Sequence, residues 1–165
     1  MPDPMELKPI ENNLPLTPLE FREKIFELQK IMEKTPGTMV GDVLDEYCPL
    51  KHSFGDGVYV REIFVPKGTL IITKIHKFEH PYFVLSGVSS VVTEDGIALI
   101  KAPFQGMTKA GTKRAVYVHE DTVWVTVHAT KETDLKKIEE EIIAKDYLEL
   151  EDFITIIDEN NKKEE

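Results

Sequence analysis

The 165-residue sequence predicts one all-β domain, a barrel or sandwich of short strands, with a helical arm before it and an amphipathic helix after it. Three observations carry this. The middle of the chain holds runs rich in β-branched and aromatic residues, at Val58 to Val65, Thr69 to His76 and Thr122 to Ala129, the last with the only tryptophan, Trp124. Turn signals separate the runs at short, regular spacing: Asp56 and Gly57, then Pro66, Lys67 and Gly68, then Glu94, Asp95 and Gly96 between VSSVVT and IALIK. Helical periodicity is confined to the two ends.

Taken in order, the chain opens on Pro2, Pro4, Pro9, Pro15 and Pro18, which disfavour regular ladders and suit an extended arm on another surface. Thr17 with Glu20 forms a capping-box signature, Pro18 suits a first helical turn, and Phe21, Ile25, Leu28 and Met32 follow helical spacing. A helix over 18–34 is expected, ended by Thr35, Pro36 and Gly37. After the strands, Thr133 is the expected cap of a helix with Leu135, Ile138 and Ile142 on one face. The ending IDENNKKEE has no apolar period and is expected to fray. Residues 1–50 thus read as arm and helix, 51–131 as the barrel, and 132–165 as C-terminal helix and acidic tail, all in one domain.

Composition narrows the function. The formal charge of −10 argues against nucleic acid as a partner, and no apolar run approaches the roughly 18 to 20 residues that a membrane helix needs. The start has neither the basic head nor the apolar core of a secretory signal, and Cys48 alone forms no internal disulfide, so a cytoplasmic setting is expected. Cys48 lacks an activating neighbour and reads as a packed thiol. The charge is unevenly spread: Lys51 to His119 holds nine Lys and Arg against five Asp and Glu, a balance of +4, which leaves −14 for the flanks. A small anionic ligand is compatible with that middle segment.

In a strand over 70–76, Leu70, Ile72, Lys74 and His76 share a face. His80 follows after four residues, just before the run Tyr82 to Leu85, so a bend there brings both imidazoles to one cavity. His119 lies beside the run AVYV, and His128 shares a strand face with Trp124 and Thr126. Glu120 and Asp121 are expected to turn the chain, and Arg61 and Glu62 alternate faces, so that either one lines the interior or, as is more frequent, both take part in charge pairs on an exposed sheet.

The stretch GTLIITKIHKFEHPYFVLSG resembles the first motif of the cupin superfamily, the RmlC-like jelly rolls: Gly68, Lys74, His76, His80 and Gly87 stand at its glycine, two histidines, glutamate and glycine. Lys74 replaces the first histidine and His80 the glutamate. In KAGTKRAVYV, Lys109, Gly111, Arg114 and Val118 fall where the second motif has proline, glycine, histidine and asparagine, and only the glycine is kept. The central half of the chain is also similar to small cupin-like proteins encoded by bacteriophages. The resemblance implies a cupin-type jelly-roll barrel, a homodimer, and a setting in the host cytoplasm if the chain is phage-encoded.

Three readings of the interior stay open. In one, His76 and His80 with His119 or His128 hold a divalent transition metal, iron, manganese, nickel or zinc. In another no metal is bound, and Lys74, Arg114, His76 and His80 form an electropositive pocket that grips a phosphate, carboxylate or nucleotide without catalysis, with Tyr82 and Trp124 as candidates to stack on a ligand ring. In the third the barrel is a scaffold without a ligand, and the acidic helix is its contact surface.

Overall fold

The computed structural model describes residues 16–39 and 42–164, so the proline-rich arm before Leu16 lies outside the described residues. Helix α1 (Pro18–Glu33) begins with the expected box: Thr17 accepts from the Glu20 amide, and the Glu20 carboxylate accepts from the Thr17 amide at 2.8 Å. Its Phe21 and Ile25 are buried. A short helix, α2 (Asp42–Tyr47), then leads Cys48 into the core, where burial pushes its thiol pKa up.

The strands follow: β1 (Leu50–Gly55), β2 (Val58–Val65), β3 (Leu70–Ile72), β4 (Ile75–His76), β5 (His80–Thr93), β6 (Gly96–Lys101), β7 (Phe104–Thr108) and β8 (Ala115–Ala129). They are succeeded by α3 (Leu135–Ile142), β9 (Ile143–Ala144) and α4 (Tyr147–Glu164). All pairing is antiparallel, and the central ladder joins the two long strands β5 and β8. The first half of β5 pairs with β7 and its second half with β6, while the first half of β8 pairs with β3 and its second half with β2.

Register shifts between Val84 and Ser89 mark where this seven-stranded sheet bends over on itself. Gly87 sits in that bend with φ 89°, and a Cβ there would stand 2.3 Å from Thr122 Oγ1 and 2.5 Å from the Asp121 carbonyl oxygen. Only glycine fits both the dihedral and the approach. The folding brings Tyr82 and Val84 from one half against Val91, Ile100, Val116 and Val118 from the other, forming the main core.

The architecture is therefore the expected mostly-β jelly roll with helices at each end. Closure differs from expectation: among the described residues no ladder joins the outer strands, so the layers are held by side-chain packing rather than by a continuous ring of hydrogen bonds. Glu120 and Asp121 do not turn the chain; they run through β8, with Glu120 opposite Val88 and Asp121 accepting from the Lys67 amide at 2.8 Å. No helix among the described residues is long and apolar enough to cross a membrane.

Two further expectations are corrected at the C-terminal end. Asp134, not Thr133, caps α3, its carboxylate accepting from the Lys137 amide at 3.1 Å. The acidic ending continues as α4 to Glu164, anchored by Leu150, which packs with Ile75 and Ala144 beside Phe26 and Tyr147. Ile138 and Ile142 bury against Tyr59. Burying each contributes about 1.5–3 kcal/mol, against about 1 kcal/mol at most for an exposed ion pair such as Lys74 with Glu139, so packing fixes α3 on the sheet.

Candidate metal centre

Three histidines meet inside the sheet. The continuous strand expected over 69–76 is interrupted: the Thr73 amide donates to the Arg114 carbonyl at 2.9 Å, and the chain resumes as β4, which pairs with β9 through His76 and Ile143. The break undoes the shared face. Lys74 points to solvent and pairs with Glu139, while Ile75 is buried and His76 faces the interior. The His76 carbonyl accepts from the Gly111 amide and Ile142 accepts from the Lys77 amide, both at 2.8 Å, so the loop before β8 and the C-terminal segment together position this imidazole.

His80 opens β5 opposite Thr108, and His128 stands near the end of β8 opposite Tyr59. One ring nitrogen from each of His76, His80 and His128 lies within 4.8 Å of the others. The rings of His76 and His128 are stacked 5.3 Å apart, and His80 tilts against both, at 4.3 and 4.4 Å. Tyr59 stacks on His128 at 5.9 Å, and its hydroxyl lies 2.8 Å from His52 Nδ1.

Electrostatics keep this cluster neutral. Desolvation is the largest cause for all three rings: it pushes His76 down to about 2, with the neighbouring imidazoles, Arg61 and Arg114 adding, and His128 down to about 3. His80 is lowered as well, by burial and then by Arg114, against a bond to the Phe78 carbonyl that favours its charged form. That bond, 3.2 Å from Nδ1, assigns the proton of the neutral ring to Nδ1 and leaves a lone pair on Nε2. His80 Nε2 is buried with no hydrogen-bond partner. Leaving such an atom unsatisfied costs roughly 1–3 kcal/mol.

This donor set fits a divalent transition metal. Three neutral imidazoles each bring a ring nitrogen into one small cluster, and the orphaned Nε2 has the lone pair that a metal would take. Three protein ligands leave coordination positions for water or a small molecule.

The remaining candidates line a second storey of the interior. Arg114 is buried; its guanidinium lies over Tyr82 at 5.1 Å and Trp124 at 5.7 Å and donates to Thr108 Oγ1. Tyr82 and Trp124 stack on each other at 4.9 Å. Gly106 makes room, since a Cβ there would stand 2.6 Å from the Tyr82 ring. Arg61, two residues from Tyr59 on β2 and opposite Thr126, is the inward member of the Arg61–Glu62 pair. His119 lies apart from the triad, with Nε2 2.7 Å from Ser90 Oγ and its ring edge-on to Tyr117. Thr108 and the buried Lys113, whose Nζ donates to the Thr73 carbonyl at 2.8 Å, were not signalled by the sequence: Thr108 stands outside both motif stretches, Lys113 falls between the motif positions Gly111 and Arg114, and both owe their placement to strand pairing and loop path.

Fold and triad together make a mostly-β jelly roll with a candidate metal centre. Among solved structures the chain is similar to an RmlC-like cupin family protein from Methanocaldococcus jannaschii, with 14% identity over 50% of this chain and 80% of that one and a TM-score of 0.43. It is likewise similar to ectoine synthase from P. lautus, with 13% identity, 64% and 88% coverage and a TM-score of 0.49. A third is a DMSP lyase from Ruegeria pomeroyi, with 14% identity, 65% and 72% coverage and a TM-score of 0.47. At such identity and overlap these likenesses say nothing of activity. No protein-family model and no curated protein matches the chain.

Proposed function

We propose that this protein is a cupin-like metal binder that holds one divalent transition metal, iron, manganese, nickel or zinc, on His76, His80 and His128, and takes a small anionic ligand in the same interior. The observation that carries the reading is the buried, unpartnered Nε2 of His80 in a cluster of three neutral imidazoles. A metal bound there supplies Lewis acidity to a ligand in its open positions. Arg114, braced by Tyr82, Trp124 and Thr108, orients the anion and offsets its charge, and the stacked rings restrict water around it.

Metal analysis of protein purified without a histidine tag tests the reading. About one metal per chain in the wild type, lost in the His76→Ala/His80→Ala double variant, is the expected result. Metal-free wild type after reconstitution with each of the four metals would sink it.

A second reading, a metal-free binder that sequesters an anion such as a nucleotide, is favoured by one observation: neither Arg61 nor Arg114 has a carboxylate partner among the described residues. Native mass spectrometry of the purified protein distinguishes it, through a co-purified anion without a metal. From the sequence resemblance we also infer a phage-encoded protein that works as a homodimer in the host cytoplasm. Light scattering on the purified chain tests the dimer.

A further inference from the structure

Two fixed positive charges face the interior beside the triad, and among the described residues no carboxylate is paired with either. Arg114 is only 8% exposed. Its guanidinium lies over two aromatic rings, which cover a face and leave the in-plane N–H donors at the edge. One of those donors meets Thr108 Oγ1. Arg61 comes from β2, on the same inward face as Tyr59 and Ile63, and its register partner Thr126 is also opposite Tyr82. The two guanidinium groups thus come from different elements, Arg61 from β2 beside Thr126, and Arg114 from the loop before β8, where it lies on the Tyr82–Trp124 stack.

A buried guanidinium without a counter-charge is costly, and a divalent metal on neutral imidazoles adds to the same positive field. One negative charge leaves that field largely uncompensated. Two separate planar forks, one of them backed by aromatic rings, match a ligand with an anionic group at each end of a short carbon chain.

We propose that Arg61 and Arg114 form the two ends of an anion subsite whose ligand is a compact dianion, a small dicarboxylate, seated beside the histidine triad. This rests on the reading that the interior takes a small anion, and it gives that anion a charge and a shape. The chemistry shared with inorganic phosphate is the double negative charge; the origin of the two forks on different elements is what favours two carboxylates.

Calorimetric titration of the full chain with malonate, succinate, inorganic phosphate and acetate tests it, on untagged protein stripped of metal and again after zinc loading. Metal content measured on the same samples keeps the outcomes apart, because a chain that never retains zinc overturns the triad reading while the anion titration stands by itself. Malonate or succinate is expected to bind at least about tenfold more tightly than acetate. Arg114→Lys, which keeps the charge and loses the fork, is expected to weaken dicarboxylate binding about tenfold, and Arg61→Gln to bring it down to the acetate level. Dicarboxylates no tighter than acetate on the unsubstituted chain overturn the proposal, whether or not the variants fold. So does dicarboxylate binding that neither substitution changes, and phosphate binding tighter than both dicarboxylates overturns the two-ended ligand.

Discussion

His128 lies parallel to His76, ring centroids 5.3 Å apart and planes 10° apart, although one comes from a long central strand and the other from a two-residue strand outside the main sheet. Two neutral imidazoles stacked in this way, with the unpartnered nitrogen of His80 beside them, form a site that gains from a cation.

Zinc or nickel is therefore expected to raise the unfolding temperature of the stripped protein. At free metal about 100-fold above its Kd the stabilisation is about 2.7 kcal/mol, worth a few degrees for a chain of this size. Differential scanning calorimetry with and without metal reads it, and His128→Ala is expected to abolish the shift. An equal shift in that variant would place the metal elsewhere.

Acid is expected to destabilise the metal-free protein. His76 and His128 titrate at about 2 and about 3 in the fold, against about 6.5 in an unfolded chain. Between those limits the unfolded chain binds protons that the folded one refuses, so the stabilisation is complete above about pH 6.5 and is lost as the pH falls. Each ring contributes at most roughly 1.4 kcal/mol per pH unit over that window. Urea midpoints compared at neutral pH and at about pH 5 should drop clearly; equal midpoints would mean that the rings are solvated in the fold.

Gly106→Ala is expected to unseat the Tyr82 ring, because the added methyl would stand 2.6–2.7 Å from three of its atoms. Overpacking of this kind costs about 1–3 kcal/mol. The stack on Trp124 would loosen with it, and Trp124 is the only tryptophan, so its fluorescence reports the change directly. An unaltered spectrum with unaltered stability would show that the ring moves aside freely.

Gly87→Ala carries a heavier penalty. Here the clash is with the Asp121 carbonyl and the Thr122 backbone, which cannot swing away, and the left-handed dihedral adds about 1–2 kcal/mol. A loss of about 3 kcal/mol or more in urea unfolding is expected, with metal uptake reduced in step. A stable variant would mean that the bend at β5 can relax without opening the interior.

The sequence displayed the strands, their hairpin turns and the first helix because each rests on local chemistry: β-branched runs, Asp56–Gly57, the Thr17–Glu20 box. His76 and His80 were visible through motif spacing, and His128 through its alternation with Thr126 and Trp124. Lys74 was misplaced because strand alternation was carried across Thr73, where a bond to the Arg114 carbonyl interrupts the strand. No local pattern encodes that bond. His119 and His128 were equivalent in sequence; cross-strand register separates them, setting His128 against Tyr59 on the inner face and His119 against Ser90. Helix α4 was hidden because its anchor, Leu150, is specified by contacts with Ile75 and Ala144 rather than by its own periodicity.

The pairing of β4 with β9 has a consequence for how the protein is made. His80 and His128 belong to strands whose partners all precede Thr130, but the ribbon that holds His76 needs Ile143, and its neighbour Lys77 needs Ile142. On the ribosome the sheet can assemble while the C-terminal segment is still inside the exit tunnel. The third histidine is fixed only once Ile142 and Ile143 have joined β4, so a chain cut before Ile142 would keep the β5–β8 ladder without the ribbon that positions His76.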